Sequence, residues 1–160
     1  MVQNTARRRA LPTVDELRVW RDFIETAEAL RTELAARLQS DSSLSPGDYS
    51  VLLALSEAHG ARLRSSELAT ACGWERSRLS HHLGRMERRG LIRREDCATD
   101  NRGAEVILAA EGATAFRRAS VPHLRAVREL FVDALNPKQL AAAADVVTAL
   151  RTQLEALREP

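Results

Sequence analysis

Residues 65–108 read SSELATACGWERSRLSHHLGRMERRGLIRREDCATDNRGAEVIL, and this stretch decides the fold. Its pattern predicts a short helix, a turn at Gly73, a second helix that ends at Gly90, and two short strands. The strands are expected over 91–94 and 104–108, on either side of an Asp- and Gly-rich loop. A helix, a tight turn and a second helix followed by a hairpin predict a winged helix-turn-helix lobe.

The second helix of this stretch combines a narrow apolar stripe with a broad cationic face. At 100° per residue, Leu79, Leu83 and Met86 fall within about 60° of one another and should face a core. The opposite face carries small, polar and cationic side chains, namely Ser77, Arg78, Ser80, His81, Gly84, Arg85 and Arg88. A helix that enters the major groove of DNA needs such a face, so the pattern indicates a nucleic-acid partner.

The positive charge of the chain is local. The 160 residues carry a net charge of only +2, but eight arginines accompany four acidic residues between Arg76 and Arg102. Concentrated positive charge is the expected footprint of phosphate binding. No apolar run approaches the ~20 residues that a membrane span requires, so we expect a cytoplasmic protein without a membrane partner. Residues 1–12 are expected to form a disordered basic tail rather than a signal peptide.

Amphipathic helices are predicted on both sides of the lobe, which should span residues 45–108. One helix over about 13–39 carries Leu17 in its apolar stripe. Ser45 and Pro46 have the pattern of an N-cap and a first helical residue, so they should start the helix that leads into the lobe.

The last predicted helix starts at Asn136-Pro137 and carries a leucine-rich seam with spacings of three and four residues. The seam is too short for a stable isolated coiled coil, so it must dock on something. We predict that residues 13–39 and 110–160 form a helical dimerisation region. Its interface residues are expected to be Leu17, Leu140, Val147, Leu150, Leu154 and Leu157. The predicted fold class is mainly α with a small β-hairpin wing, a winged helix-turn-helix lobe with N- and C-terminal dimerisation helices.

Four segments in a fixed order carry a resemblance to a known family. They are SELA at 66–69, SRLSHHL at 77–83, MERRGLI at 86–92 and DNRG at 100–103. The chain resembles the MarR family (multiple antibiotic resistance regulator) of bacterial transcription regulators. The resemblance implies a homodimer that binds a palindromic operator in double-stranded DNA and usually represses transcription. It also implies a small aromatic or lipophilic effector whose binding releases the DNA.

The resemblance assigns DNA contacts to individual residues. Base edges are expected to be approached by Ser77, Arg78, Ser80 and His81, and phosphates by Arg85, Arg88 and Arg93. Arg102 at the wing tip is expected to enter the minor groove, with Asp100 orienting it by an ion pair; an ordinary turn residue is the alternative for Asp100. Glu75 stands where relatives often have a Ser or Thr N-cap, so either the turn differs or Glu75 pairs with a nearby arginine.

Aromatic residues are scarce in this chain and provide the candidates for a ligand pocket. They are Trp20, Phe23, Tyr49, Trp74 and Phe116. Plain packing in the core is the alternative for each of them.

Two other classes of function are alternatives to a DNA-binding regulator: a protein-interaction module and an enzyme. A winged helix that binds protein without binding DNA would have the same fold, but the Arg-bearing wing argues against it. The sequence has no nucleophile–base pair, phosphate-binding loop or metal-ligand spacing, so we expect no enzyme, no cofactor and no metal. Cys72 and Cys97 form no CxxC pair, and Cys72 is expected to be a small buried residue at a helix end.

Overall fold

The computed structural model describes residues 11–96 and 104–158, and its elements are mainly helical with a small antiparallel sheet. The helices are α1 (Val14–Ser42), α2 (Pro46–Glu57), α3 (Ser65–Cys72), α4 (Arg76–Arg88), α5 (Ala110–Val127) and α6 (Pro137–Ala156). The strands are β1 (Arg62–Arg64), β2 (Ile92–Asp96) and β3 (Ala104–Leu108). A short 3₁₀ turn over His59–Ala61 precedes β1, and a π-helical turn over Arg128–Val132 follows α5. The predicted mainly α fold with a β-hairpin is confirmed.

The chain divides into two compact units with the boundary between Glu33 and Leu34, inside α1. In the first unit, apolar side chains of α1 are exposed to solvent, among them Leu17, Trp20 and Phe23. None of the helices in the described ranges is both long enough and apolar enough to cross a membrane.

The sheet of the second unit has the order β1-β3-β2, with both pairs antiparallel. In this register Leu63 pairs with Val106, and Arg93 pairs with Ile107. The β2–β3 hairpin corresponds to the predicted wing, although β2 begins one residue later than expected and runs to Asp96. Strand β1 was not predicted, because three residues carry too little periodicity to indicate a strand.

The core of the second unit lies between the helices of the lobe and the sheet. Val51, Leu52 and Leu55 of α2 are fully buried. The predicted stripe of α4, formed by Leu79, Leu83 and Met86, is buried together with them. The prediction of the inward face of α4 is therefore confirmed, and it fixes which side chains of this helix point to solvent.

A side-chain cap sets the start of helix α2. Ser45 is the N-cap of α2: its hydroxyl accepts a hydrogen bond from the Asp48 N–H, and the Asp48 carboxylate accepts one from the Ser45 N–H. Helix α3 begins at Ser65 with Arg64 as its N-cap residue. The Ser65 hydroxyl donates to the Ala104 carbonyl at 2.9 Å and ties α3 to β3.

Helix α5 approaches the hairpin through small residues. Gly112, Ala119 and Ala126 are its buried positions. The larger apolar residues Val121 and Leu124 are exposed. The exposed apolar residues of α5 therefore lie on a different face from the one that packs in the lobe.

Candidate nucleic-acid interface

The outer face of α4 presents the cationic and polar side chains expected from the sequence. The exposed residues of this face are Ser77, Arg78, Ser80, His81, Arg85 and Arg88. Arg93 is exposed on the neighbouring strand β2. The two candidate residues of the wing tip, Asp100 and Arg102, lie outside the described residues.

The N-terminus of α4 lacks a side-chain cap. Glu75 occupies the N-cap position in an extended conformation, and its side chain makes no capping hydrogen bond. The first N–H groups of the helix are therefore left without a capping acceptor from the N-cap side chain, and their partial positive charge favours an anion at this end.

Trp74 contacts two side chains of α4, those of Arg78 and His82. The guanidinium of Arg78 lies 4.6 Å from the centroid of the Trp74 ring, a cation–π contact between residues four positions apart in the sequence. Trp74 also contacts the ring of His82 in an edge-on arrangement, with ring centroids 5.1 Å apart. Both rings fit because residue 47 is glycine: a Cβ there would lie 2.8 Å from Trp74 and 2.9 Å from His82. Trp74 therefore limits the directions in which Arg78 can extend.

A buried carboxylate connects α2 to the underside of α4. Asp48 Oδ2 accepts a hydrogen bond of 2.7 Å from Arg89, which also donates to the Ser43 carbonyl at 2.9 Å. Asp48 Oδ1 lies 3.0 Å from Nε2 of His82, within ion-pair distance but without the alignment of a hydrogen bond. On the other side of the ring, Arg85 contacts Nδ1 of His82 at 2.8 Å. We refer to Asp48, His82, Arg85 and Arg89 as the relay.

The charges of the relay shift the pKa of its two titratable members. Burial by itself raises the pKa of Asp48, but the hydrogen bonds from Arg89 and the Ser45 N–H and the nearby positive charges reverse the effect, so the pKa lies below its usual value. Burial lowers the pKa of His82, and the charge of Arg85 adds to this, although Asp48 acts in the other direction. The lobe therefore favours an ionised Asp48 beside a neutral His82.

Ion pairs also join the hairpin to α4. Glu87 accepts hydrogen bonds from the backbone and the guanidinium of Arg94, which together lower the pKa of Glu87. Arg93, one of the predicted phosphate contacts, lies 3.2 Å from Glu95, and both side chains are mostly exposed. Exposed ion pairs of this kind contribute little to the stability of the fold. Arg93 can therefore exchange Glu95 for a phosphate at a small cost in free energy.

The five aromatic candidates for a ligand pocket do not share one environment. Tyr49 packs on Phe116 with ring centroids 5.2 Å apart, and Trp74 contacts His82 of the relay. All three are partly buried against the core, as plain packing would require. Trp20 and Phe23 belong to the first compact unit, where they are exposed. The aromatic pocket therefore stays a prediction.

A polar cleft of 510 Å³ opens beside α4. Its lining residues are Gln39, Ser43, Ser45, Asp48, His82, Arg85 and Arg89.

Within the described ranges, no group of three or more His, Cys, Asp and Glu side chains could hold a metal ion. Cys72 is a half-buried free thiol whose pKa is raised by burial, with a hydrogen bond to Ser50 opposing the shift. Cys97 lies outside the described residues.

Three members of the relay, Asp48, His82 and Arg89, were not among the sequence-based candidates. Asp48 was recognisable only as part of the α2 cap, and its partner Arg89 lies 41 positions away. Arg85 and His82 lie three residues apart within α4, a spacing that places side chains together on a helix. This contact could therefore have been found from the sequence, whereas Trp74, which contacts Arg78, lies before the helix begins.

The crystal structure of AbsC, a MarR family transcriptional regulator from Streptomyces coelicolor, is 36% identical in sequence to this chain. It superposes with a TM-score of 0.85 and covers 91% of this chain and 98% of AbsC. The chain belongs to the MarR family. The family profile matches residues 42–103, which span the lobe from the end of α1 to the wing loop. This MarR-family protein is therefore a winged-helix transcriptional regulator.

Two further structures resemble this MarR-family regulator. Sco3205, a MarR family transcriptional regulator from Streptomyces coelicolor solved in complex with DNA, is 38% identical, covers 90% of this chain and 91% of its own, and has a TM-score of 0.85. PcaV from Streptomyces coelicolor, in complex with its natural ligand, is 23% identical over 79% of this chain and 89% of its own, with a TM-score of 0.68. At that identity PcaV shows the shared fold alone. No curated protein matches the chain.

Proposed function

We propose that this MarR-family regulator is a homodimer that binds a specific sequence in double-stranded DNA. The observation that carries the proposal is the outer face of α4, where every predicted contact residue is exposed while the apolar stripe is buried. The DNA complex of Sco3205, at 38% identity, supports the same function for this chain.

The proposed contacts follow from the position of each side chain. Ser77, Arg78, Ser80 and His81 lie toward the N-terminal half of α4 and read base edges in the major groove. Arg85, Arg88 and Arg93 lie farther along α4 and on β2, where they bind phosphates. From the wing tip, Arg102 enters the minor groove with Asp100 as its orienting partner.

The exposed apolar seams support a homodimer. Leu140, Val147, Leu150, Leu154 and Leu157 of α6 are all exposed, as is Leu17 of α1. Apolar residues that recur in this way are costly to leave in water, and a second copy of the chain can cover them. Two lobes related by a two-fold axis would read two half-sites about one helical turn apart, which requires a palindromic operator.

The remaining parts of the proposal rest on the family resemblance. The regulator acts as a cytoplasmic repressor, and a small aromatic or lipophilic effector relieves repression. Residues 13–39 and 110–160 form the dimerisation region, and residues 45–108 form the DNA-binding lobe. Selection of bound fragments from random duplex DNA tests the core of the proposal, because recovery of an inverted repeat is expected and recovery of no enriched sequence contradicts it.

Replacing Arg88 with alanine should weaken binding to every duplex, because a phosphate contact carries no sequence information. The slope of log K against log salt concentration should become less steep by about 0.9, the value for one lost phosphate contact. Affinity measured by fluorescence anisotropy at several salt concentrations gives both quantities. Arg125→Ala removes the same charge from an exposed position on α5 and serves as the control. An unchanged slope in Arg88→Ala would exclude Arg88 from the interface.

Replacing Leu154 with glutamate should weaken the dimer. Burying a carboxylate in the seam is expected to cost at least about 3 kcal/mol, which raises the dissociation constant of the dimer at least about a hundredfold. Thr152→Glu adds the same charge on the opposite, exposed face of α6 and should leave the dimer intact. Sedimentation velocity over a range of concentrations measures both. Equal dissociation in the two variants would contradict an interface at this seam.

A further inference from the structure

The two ring nitrogens of His82 face opposite charges. Nε2 lies 3.0 Å from the carboxylate of Asp48 on α2, and Nδ1 lies 2.8 Å from the guanidinium of Arg85 on α4. Arg89, the C-cap residue of α4, reaches the same carboxylate from a third direction. Trp74 contacts the ring edge-on and is uncharged. These are the charged and aromatic groups that the described residues place around the ring.

The Arg85 contact fixes where the proton of His82 must be. A guanidinium has only donors, so Nδ1 can contact it at 2.8 Å only as an unprotonated acceptor. The neutral ring therefore carries its proton on Nε2, on the side of Asp48. Only this tautomer suits both neighbours.

A second proton on His82 changes what Arg85 can do. The new N–H on Nδ1 would point at a guanidinium that cannot accept it, and two positive groups would stand at hydrogen-bond distance. The ring would keep its attraction to Asp48, while Arg85 would lose its contact with Nδ1 and keep only the long hydrogen bond of 3.5 Å to the His81 carbonyl, so its guanidinium could swing outward. Arg85 is exposed on the face that we assign to DNA, so a phosphate can take the place of the ring.

We propose that His82 is a positioning residue for Arg85, and that DNA binding transfers Arg85 from the ring to a phosphate with uptake of one proton by His82. The proposal rests on the proposed DNA-binding function and adds a regulatory property to it. The proton comes from solvent and forms the Nδ1–H bond as the contact from Arg85 breaks. The nearby phosphates favour the charged ring in the complex. By linkage, acid strengthens DNA binding.

The pH range follows from the state of the free protein. The pKa of His82 is lowered in the free lobe from its ordinary value of 6.5, mainly by burial, so the ring is neutral at neutral pH. If the complex holds a protonated ring, affinity should rise as pH falls between the pKa of the complex and that of the free protein. One proton taken up gives at most about a tenfold gain in affinity per pH unit.

His81 provides the matched control. It lies beside His82 in sequence but is exposed on the outer face of α4. Affinity of the full-length protein for the selected duplex should be measured from about pH 5.5 to 8 at constant ionic strength. We compare the wild type with His82→Gln, His81→Gln and Arg85→Gln. Glutamine retains a donor and an acceptor but does not titrate.

The expected result is that the pH slope persists in His81→Gln and is lost in His82→Gln and Arg85→Gln. A slope that survives in His82→Gln, or disappears in His81→Gln alone, overturns the proposal. If His82→Gln does not fold, NMR titration of the His82 ring in the wild type decides, because its pKa must rise when DNA is added. Binding that is strong but independent of pH refutes this inference alone, whereas no binding at any pH refutes the proposed function as well.

Discussion

Replacing Gly112 with alanine should unfold the lobe or leave it severely destabilised. A Cβ at this position would lie 1.9 Å from the carbonyl oxygen of Leu91 and 2.9 Å from its carbonyl carbon. The obstacle is backbone, held by hydrogen bonds from the Leu91 N–H to Met86 and from the Ala109 N–H to Leu91. We expect a loss of at least about 3 kcal/mol, a large share of the 5–15 kcal/mol that stabilises a typical domain. Urea unfolding followed by circular dichroism measures it.

Gly84→Ala is the matched control, because Gly84 also lies within a helix. A Cβ there would meet only the end of the Arg88 side chain, at 3.9 Å. Alanine is favoured over glycine in a helix by about 1 kcal/mol, so this variant should be slightly more stable than the wild type. A Gly112→Ala protein with wild-type stability would mean that α5 does not approach Leu91 in this way.

Replacing Asp48 with alanine should have the second-largest effect on stability. The side chain is 3% exposed and is the acceptor for the Ser45 N–H and for Arg89. Its removal leaves these donors without a partner and exposes the N-terminus of α2 to fraying. We expect a loss of about 2–4 kcal/mol in the free energy of unfolding. Asp41→Ala, at an exposed position near the end of α1, should change stability by less than about 0.5 kcal/mol.

The dependence of this effect on pH provides a second test. The pKa of Asp48 is lower in the folded protein than its ordinary value of 3.8. Its stabilising contribution is therefore complete above about pH 4 and is lost as pH falls through the folded pKa. The difference in stability between the wild type and Asp48→Ala should shrink in acid. A difference that stays constant down to pH 2 would contradict an ionised Asp48 in the relay.

The local features of the lobe were the ones that the sequence could predict. Periodicity alone identified the buried stripe of α4, because three apolar residues on a helix have one common direction. The pattern Ser45-Pro46 located the start of α2 for a similar reason, since capping depends on neighbours in sequence. Strand β1 depends on pairing with β3, more than 40 residues later, and its own sequence of Arg-Leu-Arg gives no hint of it.

The candidate site likewise combines features that follow from the local sequence with contacts between residues far apart in the sequence. The exposed arginines of α4 follow from the helical pattern, and the structure places them on one face. The Asp48–Arg89 ion pair joins residues that no local rule brings together, and it depends on the packing of α2 against α4. Ser65 at the start of α3 donates its hydroxyl to the Ala104 carbonyl of β3 instead of capping its own helix, another contact that no local rule predicts.

The close approach of two rings over Gly47 has an evolutionary consequence. Positions 47, 74 and 82 share one volume, because a methyl group at the first would occupy space that Trp74 and His82 already fill. Among homologous regulators, any lineage that gains a larger residue at 47 must therefore shrink or reorient one of the other two. The three positions should therefore vary together, and this coupling links the start of α2 to the helix that we propose reads DNA.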